Sequence, residues 1–120
     1  MVKKNINISK INSYYDNISW DKLENSNVSQ TGEWNVPYKG KDWKELYNKI
    51  ADEGFKKTEL FIVKYDNNYF IMNGNHRIRI LKEMYDNDYI VTGDTIRKDN
   101  HWLTVWKNKK SYYEELYNGN

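Results

Sequence analysis

The run from Leu60 to Tyr85, LFIVKYDNNYFIMNGNHRIRILKEMY, constrains this chain more than any other. It reads as strand, tight turn, strand, glycine turn and helix. Residues 60–64 are apolar, Asp66-Asn67-Asn68 supplies a hairpin turn, and Tyr69 to Met72 forms the return strand. A helix is expected from about Asn75 to Tyr85. Gly74 stands where strand gives way to helix, and Asn75-His76-Arg77 come directly after it. The first turn of a helix leaves its backbone N–H groups unpaired, so this junction is a ready anion site. A glycine there lets a phosphate or another backbone come close.

Helix geometry sharpens the reading of Arg77. At about 100° per residue, Ile78, Ile80, Leu81, Met84 and Tyr85 share one arc. Arg79, Lys82, Glu83 and Asp86 share the other and read as a solvated face. Arg77 projects into the apolar arc. A guanidinium is rarely buried without a partner. Arg77 therefore either meets a buried carboxylate or lines a pocket for an anionic ligand.

Elsewhere the signals are shorter. Ile6-Asn7-Ile8 alternates like a strand. Ser19 or Asp16 is placed to cap a short helix over Trp20 to Glu24. Residues 25–41 read as a long loop holding Trp34 and Tyr38. Asp42 with Glu45 has the form of a capping box, Trp43, Leu46, Tyr47 and Ile50 come after it at helical spacing, and Gly54 stops the helix. Strands are expected over Tyr89–Val91 and over His101–Trp106, and a short terminal helix over 110–117.

The 120 residues suit a single domain, 1–120, with a modest core. Without cysteine, disulfides, thiolate metal sites and cysteine nucleophiles are excluded. Two histidines without metal-ligand spacing argue against a structural zinc site. The N-terminal residues lack an apolar run, so neither a signal peptide nor a membrane span is expected, which favours the cytoplasm. A net charge of +2 is too weak by itself to argue nucleic-acid binding. Eleven tyrosines and five tryptophans stand beside a mean hydropathy of −1.02, so aromatics are expected to carry the core. The heavy use of Asn, Lys, Ile and Tyr fits an AT-rich coding genome.

Residues 43–91 resemble the ParB/sulfiredoxin superfamily. The order agrees: a helix closed by Gly54, the strand Leu60-Phe61-Ile62-Val63, a hairpin, and a strand entering Asn73-Gly74-Asn75-His76-Arg77. The resemblance implies a small α+β fold, a mixed sheet with helices, that sets nucleotide phosphates at this turn. Sulfiredoxins carry Gly-Gly-Cys-His-Arg there. Asn75 stands at the cysteine position here, which excludes sulfinic acid repair. Partition ParB proteins carry Gly-Glu-Arg-Arg, bind CTP and need a downstream Glu-Asn-x-x-Arg helix, which is missing. The motif is nearer to the Asp-Gly-His-His-Arg of free-serine kinases and the Asp-Gly-Asn-His-Arg of phage and mobile-element proteins, with Asn73 in place of Asp.

The resemblance makes Asn73, Gly74, Asn75, His76 and Arg77 the candidate nucleotide contacts. The ligand expected is a nucleoside triphosphate, ATP or CTP, with Mg2+ as its companion. Phosphoryl transfer or hydrolysis needs cations around the moving group and a base for the acceptor. His76 is a candidate for proton transfer. Glu33, in Gly32-Glu33-Trp34, is the candidate base, with Asp94 second. The alternative is a non-catalytic module binding a nucleotide, DNA or a partner protein, such as a phage-encoded regulator or inhibitor of host defence. Trp34, Tyr38 and Trp102 are of the right type to sandwich a base, although core packing is the commoner use.

Overall fold

The computed structural model describes residues 2–28, 37–55, 60–86 and 88–119. Strands β1 (Val2–Asn7), β2 (Ile11–Asn12), β3 (Phe61–Tyr65), β4 (Asn68–Asn73) and β5 (Ile90–Ile96) form one mixed sheet in the order β1-β5-β3-β4-β2. Pairing is antiparallel for β1 with β5 and for β3 with β4. It is parallel for β3 with β5 and for β2 with β4. Four helices join it: α1 (Trp20–Glu24), α2 (Gly40–Glu53), α3 (Asn75–Tyr85) and α4 (Asn100–Asn118). The fold class is α+β, as expected.

The strand–turn–strand–helix reading of residues 60–85 holds closely. Turn residue Asp66 takes the left-handed conformation, φ 54°, that Asp tolerates. Ile62 pairs with Ile71 but Phe61 pairs with Asn73, so Met72 is the extra residue of a bulge. Such a bulge bends its strand and turns the chain beyond it in a new direction. Here it stands two residues before Gly74.

Ser19 does cap α1, accepting from the Lys22 N–H. Asp16, the other cap candidate, instead accepts from the Ser13 N–H and pairs with Lys82. Helix α2 starts earlier than expected, because Lys39 is its N-cap. Asp42 lies at the third helical position, and its carboxylate accepts from the Lys39 N–H at 3.0 Å. Gly54 ends α2 as expected.

Residues 101–106 are helical, not a strand. Asp99 accepts from the Trp102 N–H and starts α4. The less exposed positions of α4 include Leu103, Trp106, Lys110, Tyr113 and Tyr117, with Trp102, Glu114 and Leu116 beside them. The spacing of the first five, three and four residues in alternation, is helical. The apparent alternation Trp102-Thr104-Trp106 covers too few residues to compete. The terminal helix expected at 110–117 is the second half of α4.

Core and close approach explain one glycine. Ile62, Ile71, Ile78, Leu81, Trp43 and Tyr15 belong to the main buried cluster. A Cβ at Gly93 would stand 2.7 Å from Ile62 Cδ1 and 3.2 Å from the Leu60 carbonyl oxygen. Gly93→Ala is expected to cost about 1–3 kcal/mol through overpacking. Urea denaturation checks this, and a variant as stable as the parent would show that β5 can move away from β3.

Candidate phosphate-binding turn

The Gly74 turn is built by three constraints. The bulge at Met72 bends β4 before its last pair with β3, Asn73 with Phe61. Gly74 then takes φ 108°, a conformation that side chains avoid. A Cβ there would lie 2.4 Å from Leu60 Cδ2. Helix α3 begins at Asn75, with Ile78 N–H donating to the Gly74 carbonyl. No side chain caps this end. The N–H groups of Asn75, His76 and Arg77 precede the first intrahelical bond and face outward along the axis.

Arg77 is half-buried, and among the described residues it makes no hydrogen bond or ion pair. Of the two alternatives the sequence leaves open, the buried-carboxylate partner is not found among the described residues. Arg79 reverses its expectation. It is 7% exposed, not solvated. Its Nε donates to the Tyr15 carbonyl at 3.1 Å, its Nη2 to the Ile18 carbonyl at 3.0 Å, and its Nη1 to Glu83 at 3.2 Å. Lys82 is also not a free surface lysine. Its Nζ lies 2.7 Å from Asp16 and 2.6 Å from the Ile11 carbonyl. Both side chains clamp the segment 11–18, which passes beside α3. Helical phase alone assigns this flank to solvent, because it carries no information about that segment.

Asn75 is buried, and its side chain is committed within the protein. Its Oδ1 accepts from the Tyr14 N–H at 3.0 Å, and its Nδ2 donates to the Ile71 carbonyl at 3.2 Å. Only its backbone N–H remains open to a ligand.

His76 lies in an aromatic box. Its ring stacks on Tyr38 with centroids 3.7 Å apart, and the Trp43 ring is 5.0 Å away. The Tyr15 hydroxyl is 3.1 Å from His76 Nε2. Burial holds the imidazole pKa down at about 4, helped by the Arg77 charge and partly opposed by Asp42. His76 is therefore neutral at physiological pH. Burial also pushes the Tyr15 hydroxyl far above its ordinary value. Tyr38 is held by its own carbonyl, which accepts from the Tyr117 hydroxyl at 2.6 Å. The indole N–H of Trp43 is buried beside that hydroxyl without a well-formed hydrogen bond. Tyr15 gave no sequence signal, because its contact with His76 spans 61 residues.

Of the carboxylates, Glu33 lies outside the described residues, as does Trp34. Asp94 is described. Phe61 pairs with Asn73 on one side and with Asp94 on the other. Asp94 is thus two strand spacings from Asn73, about 10 Å. Among the described residues, no group of three or more His, Asp or Glu side chains is placed to hold a metal ion. Two surface clefts lie elsewhere, one near Trp102 and one near Tyr69. Tyr38 packs on Trp43 and His76, the core use expected of it, whereas Trp102 lines a cleft.

The course of the chain resembles that of sulfiredoxin from Arabidopsis thaliana, with a TM-score of 0.52 at 14% identity over 89% of this chain and 98% of the plant protein. The fold is sulfiredoxin-like. The chain matches no protein-family model and no curated protein. At this identity the likeness carries architecture, and chemistry must be argued from the turn itself. Among the described residues no helix is long and apolar enough to cross a membrane.

Proposed function

We propose that this protein binds the phosphates of a nucleoside triphosphate at the Gly74 turn. The observation that carries the reading is Arg77: a half-buried guanidinium, without a protein partner among the described residues, beside three uncapped helix N–H groups. Backbone N–H groups and the helix dipole suit phosphate oxygens, and a guanidinium grips two of them at once. The resemblance of the Asn73–Arg77 motif to nucleotide-binding members of the ParB/sulfiredoxin superfamily supports the choice of ligand. ATP and CTP are the candidates. Magnesium would bind through the phosphates with one or two carboxylates, as it ordinarily does. Asp94 is the described carboxylate in the row of Asn73, and Glu33 is the other candidate.

The reaction such a site supports is phosphoryl transfer or hydrolysis. His76 does not serve it as a cation or exposed acid. Its ring is committed to Tyr15 and Tyr38, so it positions the turn. That commitment favours the second reading, a nucleotide-binding module without turnover that acts through a partner protein or DNA. Magnesium-dependent release of phosphate or a labelled product from ATP or CTP separates the two.

Titration of ATP and CTP with magnesium tests the binding. Arg77→Ala should weaken the favoured nucleotide about ten- to a hundredfold, the value of a charge-assisted bond. Arg77→Lys should recover only part, because an ammonium lacks the planar fork. Equal affinity in parent and Arg77→Ala would defeat the site assignment.

A further inference from the structure

The charge of this chain is uneven. Residues 97–110 contain Arg97, Lys98, Lys107, Lys109 and Lys110 against Asp99 alone, a net +4. The whole chain sums to +2, so the remaining residues together carry −2. Such asymmetry points to a polyanionic partner.

Two of these cations, Arg97 and Lys98, line a cleft of about 630 Å³ where β5 passes into α4, whereas Lys110 pairs with Glu114. Asp99, His101, Trp102 and Val105 line the cleft with them. Arg97 and Lys98 are exposed and make no ion pair among the described residues. Asp99, the one acid, is occupied in capping the helix through the Trp102 N–H. Trp102 is half-buried, and Val105 is 38% exposed. At about 100° per residue, Lys109 and Tyr112 continue the same face of α4, and Tyr112 is 43% exposed. Cation, aromatic, cation and aromatic therefore alternate along one surface. Trp102 and Tyr112 are separated by about 15 Å of helix rise.

We infer that this surface binds single-stranded nucleic acid. Arg97, Lys98 and Lys109 meet the phosphates, and Trp102 and Tyr112 offer faces on which bases stack. Positive charge along the strand with interleaved aromatic platforms is what a single strand needs and a duplex cannot use, since paired bases hide their faces. A lipid surface fits less well. A helix lying on a membrane needs a broad apolar face, and α4 commits Trp106 and Tyr117 to the interior. The inference is independent of the Gly74 turn.

Fluorescence anisotropy with labelled oligo-dT and oligo-U provides the test. Binding should weaken with salt, with a slope of log affinity against log salt of about −1.4 to −2 for two to three phosphates. The double variant Arg97→Glu/Lys98→Glu should lose at least tenfold in affinity. Lys44→Glu/Lys49→Glu makes the same charge change on exposed positions of α2 and should lose far less. Trp102→Ala should lose about five- to 150-fold, and its circular dichroism should match the parent. Arg77→Ala should bind the oligonucleotide normally. The inference is overturned by no binding at low salt, by equal losses in the two charge-reversed variants, by equal affinity for a duplex, by dependence on Arg77, or by anionic vesicles captured in place of the oligonucleotide.

Discussion

Arg79→Ala should destabilise the protein by about 2–6 kcal/mol, since it strands two buried carbonyl acceptors at about 1–3 kcal/mol each. Those acceptors are Tyr15 and Ile18, and the segment they belong to carries Tyr15 to His76. The contact with Glu83 adds little, because that carboxylate is 38% exposed. Arg79→Lys should recover only part of the loss, as one ammonium cannot span both carbonyls in a fixed fork. Arg77→Ala, two residues earlier, should leave stability close to the parent because no protein acceptor described is left unpaired. Chemical denaturation of the three variants measures the contrast. A loss below about 1 kcal/mol for Arg79→Ala, the size of an ordinary surface change, would mean that the segment 11–18 is held without its clamp.

The second large effect is acid destabilisation through His76. Its folded pKa of about 4 lies below the ordinary 6.5. Between these values the unfolded chain binds a proton that the folded protein refuses, so stability rises with pH across that window. The contribution is fully present above pH 6.5 and is lost as pH falls toward 4. From pH 7 to pH 5 the loss should be about 2 kcal/mol, at 1.36 kcal/mol per pKa unit. His76→Phe keeps a ring in the box and removes the proton site, so it should flatten this slope even if it lowers overall stability by giving up the Tyr15 hydrogen bond. Urea midpoints at pH 5, 6 and 7 for both proteins decide it. Parallel pH profiles would show that His76 titrates alike folded and unfolded.

The fold is legible in the sequence where the signal is local. Asp66-Asn67-Asn68 and Gly74 mark their turns by backbone preference, and the apolar runs between them are long enough to carry a period. Ser19 and Gly54 are legible for the same reason. It is not legible in short windows or in side chains that act at a distance. Six residues, His101 to Trp106, satisfied a strand pattern until the stripe ending at Tyr117 showed the longer period. Asp42 looked like a cap because a carboxylate near a helix start serves equally well three positions inside it.

The candidate site divides in the same way. Sequence alone determined that a strand would end at Gly74, that α3 would open with Asn75-His76-Arg77, and that no thiol would take part. Those properties come from conformational preference and residue chemistry. Only the tertiary structure decided which of these side chains remain open. The segment 11–18, some 60 residues earlier, occupies Asn75, His76 and Arg79 and leaves Arg77 without a described partner. Helical phase assigns faces against an average solvent. It cannot weigh one particular backbone strand whose carbonyls make an apparently solvated flank the better place for a buried guanidinium.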